Sequence, residues 1–519
     1  MPPLTLKDEL ASEVLRGRKT WLDMPAIGME SEFNVWLDGE EINPEPYWKH
    51  PRAFIDGPLL TREKTSVQLP TGGAAYFDRG VIEVVTPVIE LAPHSTARMV
   101  RNLWEQIGFV RQQLTNWGHV NGHDVRLKAY SSHYNISYEI PKSQQNRHRN
   151  EKALALLLAY ILPVPVMLLA SNRRSTGVGV RPRGSRIEVT VDFTPDPGLM
   201  IATASLIVGI VREVMSWPSY DLSVLDSIPV PIIAGVVPGK HTTRKGWLTK
   251  DFHYEQSPYT SDIDEPIWTT QFGDRRSLRQ MGKDTAWFFR NSIRRYSDPF
   301  SLRLLFGILD GHAPSMLDLA DRPNAYDDVG RLCGWGRVLD ELMQFQRGVR
   351  PLSQDELRTL APFVLERQQA REQHHAEAAA AQEPARAASP KAADVARTAE
   401  SPVRPAPRRM PARATRMYVD RREISLLSRD SRAKRERRRN AERRTHSYAI
   451  PFPDRRLTRS AYEQVFLKLV SGGRLRLGND VYTPIGMRGW YQALFRRESD
   501  GAEKLMTIDQ LRKKLADWI

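Results

Sequence analysis

Three segments in the first 200 residues alternate apolar and polar side chains with period two, the pattern of strands with one buried and one polar face. In AIGMESEFNVWL, Ile27, Met29, Phe33, Val35 and Leu37 share one face, and Glu30, Glu32 and Asn34 the other. In SRIEVTVDF, Ile187, Val189, Val191 and Phe193 alternate with Arg186, Glu188, Thr190 and Asp192. In AYSSHYNISYEI, Ser131, His133, Asn135 and Ser137 oppose Tyr130, Tyr134, Ile136 and Tyr138. A fourth, GGAAYFDRGVIEVVTP, reads as a strand whose Tyr76 and Asp78 share a face. Unbroken alternation there puts Glu83 on the opposite side, so a bulge or bend at Gly80 is expected to turn it back.

Helical periodicity covers Ser95–Asn116, Glu151–Leu162, Leu199–Met215 and Val338–Phe345. Ala153–Ala170 is apolar for 18 residues, near the lower limit for a bilayer span. Pro163 and Pro165 interrupt it and Arg173-Arg174 follow, which predicts a buried helix and turn, with no membrane partner. Mixed strands and helices up to residue 348 imply an α+β first domain. From Glu366 the chain turns to Gln, Ala, Pro and Arg, so 366–415 reads as a flexible linker. A basic segment, 416–446, follows. Then 447–519 resumes globular patterning as a small α+β domain: a helix near Arg459–Leu469, strands near Leu475–Tyr482 and Trp490–Phe495, and a closing helix Ile508–Trp518.

Composition narrows the function classes. A single cysteine, Cys333, excludes a disulfide scaffold and a cysteine-built zinc site and fits a reducing, cytoplasmic setting. The charged start MPPLTLKDELASEV lacks an apolar core and predicts no signal peptide. The net charge of +15 belongs almost wholly to residues 351–519, with 35 basic against 21 acidic side chains, and so says nothing about the first domain's substrate. The run Arg429–Arg444 has nine basic and three acidic residues and no aromatics, and reads as a solvated segment rather than a nucleic-acid binder.

The polar strand faces hold Glu, His, Asn, Arg and Asp where a merely wet face favours Lys, Thr and Gln. Carboxylates and an imidazole around one pocket suit Mg²⁺ or Mn²⁺. Two such ions neutralise a nucleotide's phosphates, and Arg186 can stabilise charge on a transferring phosphoryl group. No P-loop is present, and STGVGVRPRG is only a glycine-containing loop, so ATP would be held by metals and sheet residues.

These stretches resemble the glutamine synthetase-like carboxylate–amine ligases, which include glutamate–cysteine ligases. GMESEF is similar to that superfamily's first strand. The Pup ligase and Pup deamidase (depupylase) branch carries N-G-[AG]-R-x-Y-x-D and then P-E-Y-x-T; GGAAYFDRGVIEVVTP keeps the tyrosine, aspartate, glutamate and threonine in order. YSSHYN matches its Y-x-x-H-x-N, and RIEVTVD its R-[LI]-x-V strand ending in aspartate. The resemblance implies a curved antiparallel sheet with a polar concave face and helices behind it, over 1–348. It implies metal ligation by Glu30, Tyr76, Glu83 and His133 with Glu32 as a further ligand, and Asp78 as the catalytic carboxylate. It also implies Thr86 as a nucleotide contact and Arg186 at the phosphates, catalytic as well as ATP-binding, with Asn135, Glu188 and Asp192 in support. Two departures stand out: Ala74 replaces the branch's arginine, and Val81-Ile82 its His-Pro.

The implied activity is ATP- and Mg²⁺-dependent activation of a glutamate side chain for isopeptide formation with a protein lysine, a small protein modifier being the donor. A deamidase-type hydrolase, or a ligase joining glutamate to a small amine, fits the same residues. Only 45 residues separate Glu32 from Asp78, where the deamidase typically has a long insertion, which tilts the reading mildly toward a ligase. A non-enzymatic scaffold is the remaining class; the retained Glu30, Asp78, Glu83, His133 and Arg186 weigh against it.

Overall fold

The period-two segments lie side by side in a single sheet. The structure, a computed structural model, describes residues 22–318 and 461–519, apart from 58, 63–65, 172–174, 176, 195 and 242–244. The expected helix Val338–Phe345, Cys333, the segments 366–415 and 416–446, and residues 447–460 lie outside the described residues.

Twelve strands follow one another across the sheet. They are β1 (Ala26–Leu37), β2 (Thr61–Arg62), β3 (Ser66–Gln68), β4 (Ala74–Asp78), β5 (Val81–Val85), β6 (Val125–Ser137), β7 (Gly179–Pro182), β8 (Arg186–Asp192), β9 (Trp247–Leu248), β10 (Asp480–Arg488), β11 (Gln492–Arg497) and β12 (Glu503–Thr507). Their order is β9-β7-β8-β6-β1-β5-β4-β3-β2-β10-β11-β12, and every neighbouring pair is antiparallel except β2 and β10. Short strands at Glu40–Ile42, Ile89–Glu90 and Leu475–Leu477 pair off this path.

The apolar sides of β1, β6 and β8 share one core. Phe33, Val35, Tyr134, Ile136, Ile187 and Val189 are fully buried there, and Phe33 meets Phe193 with ring centroids 5.4 Å apart. Against that face lies helix α1 (Ser95–Asn121), burying Met99, Val100, Leu103, Ile107, Val110 and Leu114 at three- and four-residue spacing. The apolar run becomes two helices, α2 (Glu151–Ile161) and α3 (Pro163–Ala170), bent by 64°. Pro163 starts α3 because its fixed φ suits a first turn and its missing N–H is not needed there. The next helix, α4 (Pro197–Met215), is long and apolar enough to cross a membrane, yet 78% of its apolar window is buried within the protein. Gly209 on α4 lets Ile293 come so close that a Cβ would lie 2.5 Å from its backbone.

GGAAYFDRGVIEVVTP is not one bulged strand but a hairpin, β4 and β5, joined by Arg79-Gly80. Both turn residues have positive φ, 50° and 93°, as a two-residue turn matching strand twist requires. Folding back puts Tyr76 opposite Glu83 and Asp78 opposite Val81, and directly opposed residues share a face. Glu83 thus joins Tyr76 and Asp78 without a bulge.

The C-terminal module contributes α8 (Ala461–Val470), β10 to β12 and α9 (Ile508–Lys513), with its own core of Tyr462, Phe466, Tyr482, Phe495 and Trp518. Leu22, Met24, Leu60 and Val88 pack against this second core. β10 runs parallel to β2, pairing Met487 with Arg62. The Tyr462 N–H donates to buried Glu90 (2.7 Å), and Arg98 pairs with Glu463 (3.3 Å). The module is therefore built onto the main sheet.

Candidate metal and phosphate site

The strand register lays the polar residues out in rows across the sheet. One row runs Ser66, Tyr76, Glu83, Glu32, Ser131, Asp192, each directly opposite the next. A second runs Glu30, His133, Thr190. A third runs Gly28, Asn135, Glu188, Arg181. Neighbouring strands are about 4.8 Å apart and alternate residues on one strand about 6.8 Å apart, so these side chains converge over a small area. A register shift after Glu32 leaves Tyr130 without an opposite residue, and it is exposed beside Ser131.

His133 is the hub. Its Nδ1 donates to Glu30 Oε1 (3.0 Å), and its Nε2 lies 3.1 Å from Ser131 Oγ and 3.8 Å from Glu32. Ser131 in turn donates to Glu32. That chain satisfies both ring nitrogens as donors, the arrangement of an imidazolium. Burial alone lowers the His133 pKa, but the hydrogen bond to Glu30 and the charges of Glu30, Glu32 and Glu188 outweigh it and raise it. Asn135 donates to Glu30 (3.3 Å) and accepts from Arg186 Nε (2.6 Å), tying the guanidinium to the same carboxylate.

Two carboxylates pull in opposite directions. Glu83, 4% exposed, is pushed up to about 10 by burial and then by the charges of Glu30 and Glu32. Burial also raises Glu30, but His133, with help from Glu83 and Arg186, holds it down to about 2. The Tyr76 phenol is raised well above its usual value by burial and by Glu30 and Glu83. The crowding thus favours a single proton between Glu30 and Glu83, held on Glu83.

Ligand atoms of Glu30, Glu83 and His133 lie within 4.8 Å of one another, and so do those of Glu32, Asp78 and Glu83. Glu83 belongs to both groups, so two cations could share it. The donors are carboxylate oxygens with one imidazole, a set suited to Mg²⁺ or Mn²⁺. A cation there would displace the shared proton and one proton of the His133 ring.

Asp78 sits at the exposed end of the β4–β5 hairpin. The Thr86 hydroxyl accepts the Met29 N–H (2.9 Å) and is buried, so it pins β1 to the residue after β5. Asp192 is buried at the far end of the first row. Glu188, 1% exposed, pairs with Arg181 and with Arg183 (3.1 Å). Those two arginines lie in the stretch read only as a glycine-containing loop. Their two-residue spacing was the available signal, and Pro182 between them hid the strand. Glu151 fixes their hairpin by accepting the Arg183 and Gly184 N–H groups (2.6 and 2.7 Å). Three guanidiniums thus stand beside the acidic cluster.

No protein-family model matches the chain, and no curated protein does. Among solved structures, it is similar to one in a crystal structure of the complex between prokaryotic ubiquitin-like protein Pup and its ligase PafA. The TM-score is 0.33 at 11% identity, covering 66% of this chain and 68% of that one.

Proposed function

We propose that the protein is a carboxylate–amine ligase that uses ATP with Mg²⁺ or Mn²⁺ to activate a glutamate side chain and join it to an amine. The observation that carries this reading is the pair of acid clusters sharing Glu83, with Arg181, Arg183 and Arg186 beside them on one sheet face. Cations bound by Glu30, Glu83 and His133, and by Glu32 and Glu83 with Asp78 left at the edge of that group, would neutralise phosphate charge and polarise the phosphoryl group.

The remaining chemistry falls to side chains. Arg186, hydrogen-bonded to Asn135, would stabilise negative charge as the γ-phosphoryl moves to the carboxylate, giving an acyl phosphate and ADP. The amine then displaces phosphate to form the amide. A lysine amine is protonated near neutral pH, so a carboxylate base must remove its proton. Asp78 suits that role: it shares the cluster's face yet is exposed to an incoming amine. A protein modifier with a glutamate tail, donated to a protein lysine, is the substrate pair that the motif resemblance favours.

The test is incubation with ATP, Mg²⁺, amine acceptors and donors ending in either glutamate or glutamine, followed by mass spectrometry. Phosphate release with a new amide supports the ligase. A deamidated product without ATP turnover indicates the hydrolase instead.

A further inference from the structure

The helices beyond the sheet carry an exposed aromatic and cationic surface. It is formed by α5 (Leu278–Phe288), α6 (Arg290–Tyr296) and α7 (Pro299–Leu309). Trp287 is 58% exposed, and Phe300 is 37% exposed. The Trp287 ring meets Phe306 edge-on at 6.0 Å, joining α5 to α7, and the Arg290 guanidinium lies 4.8 Å from its centroid. Arg294 follows Arg290 at four residues, and Arg303 precedes Phe306 at three, so both belong to the same stripe.

Arg290, Arg294 and Arg303 are exposed, and among the described residues none has an acidic partner. The acids of these helices are engaged elsewhere: Asp284 with Arg276, Asp310 with Lys283, and Asp298 in capping α7. Three cations around an exposed indole give this face a positive potential that attracts a polyanion.

We propose that this face binds single-stranded nucleic acid, with phosphates on Arg290, Arg294 and Arg303 and a base stacked on Trp287. Arg290 and Arg294 are offset by about 6 Å along the helix, close to the separation of successive phosphates in an extended strand. The planar indole distinguishes this surface from a merely cationic one, because every base offers it a π-face. This inference stands apart from the ligase reading.

The experiment is fluorescence anisotropy of a labelled 20-mer oligothymidylate with the full chain at 50 and 200 mM salt. The unmutated protein should bind and lose affinity steeply with salt. Arg290→Ala/Arg294→Ala/Arg303→Ala should weaken binding at least tenfold and flatten the salt slope by about two to three. Trp287→Ala should weaken it by roughly five- to a hundredfold with the slope kept. All are surface changes, and unchanged circular dichroism melts would show the fold intact. No binding at 50 mM salt overturns the proposal. So does unchanged affinity in both variants, which would put binding elsewhere in the chain. Equal competition by polyglutamate also overturns it, since the face would then be a docking site for acidic polypeptide.

Discussion

Tyr76 and Glu83 face each other across a hairpin closed by only Arg79 and Gly80. That pairing carries Glu83 into the same row as Glu32 and makes it the carboxylate common to both candidate cation groups. Glu83→Gln should therefore abolish tight Mn²⁺ binding, seen by electron paramagnetic resonance. The same change should leave the metal-free protein at least as stable at pH 8, because it removes an acid that is hard to ionise. Undiminished Mn²⁺ binding would remove Glu83 from any metal site.

The shared proton sets a pH dependence. Unfolded, both Glu30 and Glu83 titrate near 4.5; folded, they sit at about 2 and about 10. The raised pKa of Glu83 gives stability that is full below pH 4.5 and is lost as pH rises toward 10. The lowered pKa of Glu30 gives stability present above 4.5 and lost as pH falls toward 2. His133, raised from 6.5, adds to the loss on the alkaline side. Without metal, each pH unit above 5 should cost up to about 1.4 kcal/mol per proton held. Melting temperature should fall between pH 5.5 and 8.5, flatten in Glu83→Gln, and recover with saturating Mn²⁺. A flat profile in the metal-free protein would mean that the pair holds no proton.

Asp78→Asn should lower turnover by about 10²- to 10⁴-fold, the usual contribution of a positioned base. Mg²⁺·ATP affinity, measured by calorimetry, should hold within a few-fold, because Glu30, Glu83 and His133 keep their own group intact. Parallel loss of nucleotide binding and of melting temperature would make Asp78 a structural residue.

Glu188 and Arg183 form one ion pair but differ in exposure, at 1% and 45% of the side chain. Glu188→Gln removes the buried carboxylate that Arg181, 12% exposed, and Arg183 both face, and should cost about 3 kcal/mol in urea unfolding. Arg183→Ala removes a mostly wet partner and should cost under about 1 kcal/mol. Similar values for the two would deny Glu188 its organising place.

Phe466→Ala empties the centre of the second core and should cost about 3–5 kcal/mol. Because β10 is paired to β2, calorimetry should show one shifted transition rather than early loss of the module alone.

The polar faces of β1, β6 and β8 were legible because alternation is written directly in side-chain polarity and each strand has one dry side. The prolines likewise marked the break between α2 and α3. The β4–β5 hairpin was not, since Asp-Arg-Gly lacks the Asn-Gly or Asp-Gly pair that announces such a turn. Arg181 and Arg183 were missed because a four-residue strand ending in proline carries too little pattern. The joint between Arg62 and Met487 left no trace either, as two-residue strands have no period and their partner lies more than 400 residues away.

That joint also decides the topology of everything between. The chain leaves the sheet at Leu248 and rejoins it at Leu475, so the stretch 319–460 joins two segments of one sheet. A protease cut within it would leave two polypeptides still clasped through Glu90–Tyr462, Arg98–Glu463 and the second core. Cargo or tags spliced in at that point would ride on both halves at once.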